Sequence, residues 1–221
     1  MNKKIVFFVF AAMFATTLTA AGKGGWKPLF GADFSDAEYD KSVWTISDGV
    51  LTASKDKEIW STSEYENFVL ELEFKNDHET NSGVIIYCTD RKNWVPNAVE
   101  IQIADDYCEK WSTSSLDWQC GAIFGHLAAN KQKVVRKPGE WNAMQITCKG
   151  QKITVKLNGK KITQMDMSKW TSGTENPDGT KIPSWQPKPF AELATKGFIG
   201  LQGKHGNATI WFRNVRINAL K

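Results

Sequence analysis

Helical periodicity is nearly missing from this 221-residue chain. Almost nowhere do apolar residues recur every three or four positions, which removes helix bundles from consideration. Beyond the first 21 residues no apolar run approaches the roughly 20 residues a membrane helix needs, so membrane insertion is not expected. A strong charge excess is also lacking: 28 Lys and Arg stand against 24 Asp and Glu, a formal charge of +4. Nucleic-acid binding needs a concentrated basic patch, so nucleic acid is not expected as a partner. Cysteine is sparse and never spaced C-x-x-C, which argues against a thiolate zinc site. No D-x-D-x-D-G spacing supports a calcium cage among the acids Asp105, Asp106 and Asp117. No internal repeat is evident.

What is present begins with a leader. Lys3 and Lys4 precede an apolar stretch, Ile5 to Phe14, and a small-residue end at Thr19-Ala20-Ala21. That order is the layout of a cleavable secretory signal over residues 1–21. No cysteine lies near the cut, so a lipid anchor is not expected. The mature chain, residues 22–221, is then exported, periplasmic or secreted, and loses two lysines, taking the charge from +4 to +2. In that setting Cys88, Cys108, Cys120 and Cys148 can form disulfides in three connectivities.

Strand alternation fills the rest. In ENFVLELEFK, Phe68, Leu70, Leu72 and Phe74 share one face, while Val69, Glu71, Glu73 and Lys75 share the other. SGVIIYC is a more continuous apolar run. WNAMQITCKGQKITVKLNGKKI reads as consecutive hairpins turning at Lys149-Gly150 and at Asn158-Gly159, the second a strong hairpin signal. GFIGLQ and NATIWFRNVRIN supply two last strands. Ten or more strands without helices predict one all-β domain, a two-sheet antiparallel jelly-roll sandwich. The one long interruption, Lys169 to Leu193, holds Pro177, Pro183, Pro187 and Pro189 with Trp170 and Trp185, and loops of that length are commonly lids or binding loops.

Ten tryptophans are many for this length. Trp44 and Trp141 read as packing residues and Trp211 lies within a strand. Trp94, Trp111, Trp118, Trp170 and Trp185 lie in loops, where an indole either stacks on a sugar ring or caps an end of the sandwich. Residues Pro96 to Asp106, PNAVEIQIADD, place Val99, Ile101 and Ile103 on one face and Glu100 and Gln102 together on the other. Gln202 in GFIGLQ, His205 in GKHG, Asn81 beside Gly83 in TNSGVII, and Arg213 in IWFRNVRI add polar groups to apolar strands. Gly83 is a position where a ligand can approach the backbone. Together they predict a polar concave face. His78 and His126 read as structural.

The segments GWKPLFGADF, WTISDGVL, TNSGV, VEIQIAD, CGAIF, GEWN, LNGK, GFIGLQGKHG and IWFRNVRI, in that order, resemble the 3-keto-disaccharide hydrolase domain family over essentially the whole mature chain. The resemblance implies a concanavalin A-like lectin/glucanase fold and activity on 3-keto-glycosides. Its Glu-x-Gln corresponds to Glu100 and Gln102, its Asn-Ser-Gly to Asn81 through Gly83, and its Leu-Gln and His-Gly to Leu201, Gln202, His205 and Gly206. A C3 ketone acidifies the C2 proton; a base removes it, the enolate expels the C1 substituent, and water adds back. Such a site needs a base, an acid near the leaving oxygen, and donors for the enolate. Glu100 and His205 are the catalytic candidates; Asn81, Gln102, Asp105, Trp118, Gln202, Lys204 and Arg213 are the candidates for substrate contact.

Two other readings use the same residues. Glu100, Gln102 and Asp105 spell E-x-Q-x-x-D, similar to the E-x-D-x-x-E strand of laminarinase-type glucanases, which would make the protein a retaining glycoside hydrolase with Asp105, Asp106 or Asp117 as second acid. The fold also serves glycan-binding modules without catalysis. All three expect an oligosaccharide or glycoside ligand. No cofactor is called for, and a divalent metal ion and the oligomeric state stay open.

Overall fold

A computed structural model describes residues 25–220; the expected secretory signal lies outside them. The strands in chain order are β1 (Trp26–Pro28), β2 (Ala37–Glu38), β3 (Trp44–Ser47), β4 (Val50–Ala53), β5 (Ile59–Ser61), β6 (Phe68–Asn76), β7 (Asn81–Cys88), β8 (Val99–Ala104), β9 (Trp141–Lys149), β10 (Lys152–Leu157), β11 (Lys160–Asp166), β12 (Phe198–Leu201) and β13 (Ile210–Ala219). They form two antiparallel sheets. The large one runs β11-β10-β9-β6-β13-β4-β3, with β1 also on β13, and the small one runs β2-β5-β12-β7-β8. This is the predicted all-β sandwich. Among the described residues no helix is long and apolar enough to cross a membrane.

Alternation builds the core. Phe68, Leu70, Leu72 and Phe74 of β6 are buried against the small sheet, where Val84, Ile86, Val99, Ile101 and Ile103 meet them. Burying a side chain of this size stabilises by about 1.5–3 kcal/mol, so this one strand anchors the domain. Both predicted hairpins form, the second with Asn158 and Gly159 at φ 48° and 77°, the left-handed pair that a two-residue turn between twisted strands requires.

Strand β13 breaks its own alternation. Phe212 and Ile217 both point inward although five positions separate them. A bulge resolves this: Arg213 pairs with Glu73 and Arg216 with Glu71, so three steps on β13 face two on β6. Asn214, at φ 54°, absorbs the extra residue.

The small sheet differs from the large in being largely buried on both faces. All six residues of β8 and seven of the eight in β7 are buried, which is why SGVIIYC reads as a continuous run. Nor is β8 a free edge. The N–H of Phe124 donates to the Glu100 carbonyl (3.0 Å) and the N–H of Gln102 to the Ala122 carbonyl (3.0 Å). Ile123 thereby sits opposite Ile101, and both enter the core.

The cysteines depart from the disulfide expectation: all four are buried free thiols. Cys88 packs with Trp60 and Ile85, Cys108 with Ala104 and Trp111, and Cys148 lies in the main core. They behave as small apolar side chains, and burial pushes the Cys88 thiol up to about 12. Trp44 is a core residue as expected, against Phe212. Trp141 instead stands half-buried on the outer face of β9, with the Arg213 guanidinium 3.9 Å from its ring.

Candidate functional site

The outer face of the small sheet is a grid set by register. One row across it reads Trp60, Gly200, Ile85, Glu100, continued by Phe124, which lies opposite Glu100 because Ile123 lies opposite Ile101. The next row sets Gly83 beside Gln102, with Gln202 on its other side through a 2.9 Å bond from the Gln202 N–H to the Gly83 carbonyl. A third pairs His205 with Asn81 and Asn81 with Ala104. Opposed residues share a face, so Glu100, Gln102, Gln202 and Asn81 converge.

Gly83 makes the hollow. A Cβ there would fall 2.3 Å from Glu100 Oε1, so the carboxyl lies in the notch that the missing side chain leaves. Glu100 is 7 % exposed, and among the described residues no hydrogen bond to its carboxyl is seen. Burial, then the negative charges of Asp56 and Glu58, push it up to about 8, so when it ionises it is a stronger base than an ordinary carboxylate.

Around it stand amides with spare acceptors. Gln102 Nε2 donates to Asn81 Oδ1 (3.1 Å). The side-chain amide oxygens of Gln102 and Gln202 are buried without a partner among the described residues. An unpaired buried amide oxygen costs about 1–3 kcal/mol, which a hydroxyl donor on the same face would relieve. Ser82 holds the strand carrying Gln202 in place, its hydroxyl donating to the Gln202 backbone carbonyl (2.7 Å).

His205 stands half-exposed at the mouth, its Nδ1 hydrogen-bonded to Asp56. Asp56 therefore links the two catalytic candidates, since its charge also acts on Glu100. On the opposite flank the Trp60 ring lies over Gly200, where a Cβ would sit 2.6 Å from it. Trp94 donates its indole N–H to Glu58 (2.8 Å).

Residues 25–218 match the 3-keto-alpha-glucoside-1,2-lyase-like domain. The chain belongs to that family. A solved structure from Parabacteroides distasonis, provisionally named a glycosyl hydrolase, is 66% identical, with TM-score 0.87, over 88% of this chain and 99% of that one. A second protein of that organism, named in the same way, is 24% identical with TM-score 0.68 over 89% and 95%. A Bacillus subtilis protein with a galectin-like fold, 14% identical with TM-score 0.53 over 87% and 94%, shares the fold alone. No match was found among curated proteins.

The lyase-like domain thus carries Glu100, Gln102, Asn81 and Gln202 on one floor, with His205 and Lys204 at its rim; the Lys204 N–H is spent on the Lys55 carbonyl (3.0 Å). Trp118 stands beside this row, its ring 5.1 Å from that of Phe124 and 6.2 Å from that of Trp185. Two candidates are elsewhere. Asp105 is buried with its oxygens committed to the N–H groups of Glu79 (3.0 Å) and Tyr107 (3.1 Å). It ties together the turn before β7 and the turn after β8, which meet at one end of the sheet, and is a loop organiser. Arg213 lies on the outer face of the large sheet, paired to Glu73 at 2.5 Å; alternation reported that it faced outward but not on which sheet.

Asp56, Glu58 and Trp60 carry no signal in the sequence, because β5 is only three residues long and shows no period. His126 is buried as a structural residue, stacked 3.7 Å from Phe190 and held neutral, its pKa lowered to about 4 by burial. His78 is exposed. Trp111 and Trp170 are buried, the capping alternative. No group of three or more His, Cys, Asp or Glu side chains among the described residues is arranged to hold a metal ion.

Proposed function

We propose that this is an exported enzyme that cleaves 3-keto-glycosides, with Glu100 as the base that removes the C2 proton. The observation that supports this most directly is the Glu100 carboxyl, desolvated over Gly83 and flanked by amides. A carbon acid needs a base stronger than an ordinary carboxylate, and a carboxyl raised to about 8 is one. Glu100 takes the C2 proton and the C–H electrons become the enolate across C2 and C3. The enolate returns its electrons to form the C1–C2 double bond, expelling the C1 oxygen, which takes a proton from the His205–Asp56 pair. Water adds to C1 and a proton returns to C2, so elimination and hydration sum to hydrolysis. Amide N–H groups of Gln102, Gln202 and Asn81 hold the enolate and hydroxyls, and the unpaired carbonyls accept from hydroxyls.

The retaining alternative loses the partner its sequence pattern offered, because Asp105 is committed to backbone N–H groups. The test is to supply a glucoside and its 3-keto derivative side by side and follow aglycone release. Release from the oxidised sugar alone, lost by 10²-fold or more in Glu100→Gln, is the expected result. Release from the unoxidised glucoside would replace elimination with direct hydrolysis. Binding without release, retained in Glu100→Gln, would make the domain a glycan-binding module.

A further inference from the structure

Beyond Glu100 the outer face does not end; it climbs into an aromatic wall. Phe124 occupies the next position in the Glu100 row, one strand spacing of about 4.8 Å away. Trp118 leans on it with the ring planes at 47°, and Trp185 meets Trp118 nearly edge-on at 70°. Of the three large hydrophobic side chains left exposed among the described residues, Trp185, at 51 %, is one, and Leu116, in the turn that carries Trp118, is another.

The wall is built, not draped. Gly125, at φ +70°, leaves room for the loop: a Cβ there would lie 2.8 Å from both Pro183 and Gln186. Asn176 fastens the same loop, accepting from the Trp170 indole (2.9 Å) and donating to the Gly125 carbonyl (3.2 Å). A turn in which the Gln186 N–H donates to the Pro183 carbonyl (2.9 Å) then presents Trp185 outward. Finally the Gly125 N–H bonds the Asp117 carbonyl (3.1 Å), tying the Trp118 turn to the strand beside Glu100. Three rings from three chain segments are thus locked at one end of the hollow.

We propose that this wall is the leaving-group subsite and that it takes a flat aromatic aglycone. The inference rests on the keto-glycoside reading of Glu100 and names the half of the substrate that departs. The ring angles carry it. A sugar ring stacks on one flat platform, whereas rings set at 47° and 70° to one another contact a planar group by face and by edge at once. Polarity agrees: Phe124 has no hydrogen-bonding group, the two tryptophans offer only indole N–H donors, and Gln186 adds one buried acceptor, too few for the hydroxyls of a second sugar.

The experiment compares phenyl 3-keto-glucoside with methyl 3-keto-glucoside on wild type and on Trp185→Ala, a half-exposed position where truncation leaves the core untouched. The aryl-to-methyl ratio of kcat/KM is expected to fall about tenfold in the variant, mainly through KM. Because the departing phenol is the same in both proteins, its intrinsic reactivity cancels from that comparison. An unchanged ratio overturns the subsite while leaving the lyase reading intact, as does a 3-keto-disaccharide that depends on Trp185 as strongly as the aryl compound. Should wild type turn over neither compound, the lyase reading fails on its own and the subsite is read by tryptophan-fluorescence titration with phenyl and methyl glucosides. A phenyl preference that Trp185→Ala abolishes then supports the wall as an aryl site, and no preference overturns it.

Discussion

Replacing Glu100 with Gln tests the central physical claim without any substrate. The side chain keeps its shape, but the titrating group is removed. In the native protein the carboxyl stays protonated up to about pH 8, while in the unfolded chain it ionises near 4.5. Between those values the unfolded state releases a proton that the folded state retains, so rising pH favours unfolding. Stability from this group is therefore greatest below pH 4.5 and is lost progressively until pH 8, at about 1.4 kcal/mol per pH unit. From pH 5 to pH 7.5 the wild type should weaken by about 3 kcal/mol relative to the variant. At about 2–4 °C per kcal/mol for a domain of this size, the gap in Tm should widen by about 6–12 °C. Other shifted groups, such as Asp106 raised to about 6 and His126 lowered to about 4, are present in both proteins and cancel in the difference. Thermal melts of the two at half-unit pH steps suffice. A gap that stays constant across that window would mean the carboxyl is solvated, and the argument for its basicity would fall.

Three further outcomes follow from the geometry. In Gly83→Ala the new methyl group displaces the Glu100 carboxyl from its notch, so kcat on a 3-keto-glucoside should drop at least tenfold and the melting-gap effect described for Glu100 should shrink; unaltered kinetics would show that the notch does not position the base. Arg213→Ala, on the far sheet, should leave that kcat within about twofold while costing about 1 kcal/mol for the half-buried pair with Glu73, and a large kinetic loss would relocate the site. The four thiols should react with a maleimide only after denaturation, counted by mass; a native protein that resists reaction even when unfolded without reductant would carry disulfides instead.

Much of this molecule was legible before folding. The face assignment of β6 needed only the alternation of Phe68, Leu70, Leu72 and Phe74 with charged neighbours, because a buried face and a wet face demand opposite chemistry. The Asn158-Gly159 turn was legible because few other pairs tolerate two left-handed residues. Glu100 and Gln102 stood out because they share the face of β8 opposite Val99, Ile101 and Ile103. Arg213 was misplaced by the same logic, since alternation is blind to which sheet a strand joins and to a bulge that shifts its phase. Asp105 looked like a partner for Glu100 at five positions' distance, yet the turn after β8 claims its oxygens.

The linear chain by itself thus determined that two sheets would form and which residues would turn away from their shared core, since period-two patterning is a local property of the backbone. Only the tertiary structure decided the site: Gly83, Glu100, Gln202, Asp56 and Phe124 come from five separate segments, and no spacing between them encodes their meeting. Cross-strand register brings them into adjoining rows, and that register is set by the burial of the opposite face. The hollow is a consequence of core packing on the sheet's other side, which is why it could be anticipated in part and located only by the fold.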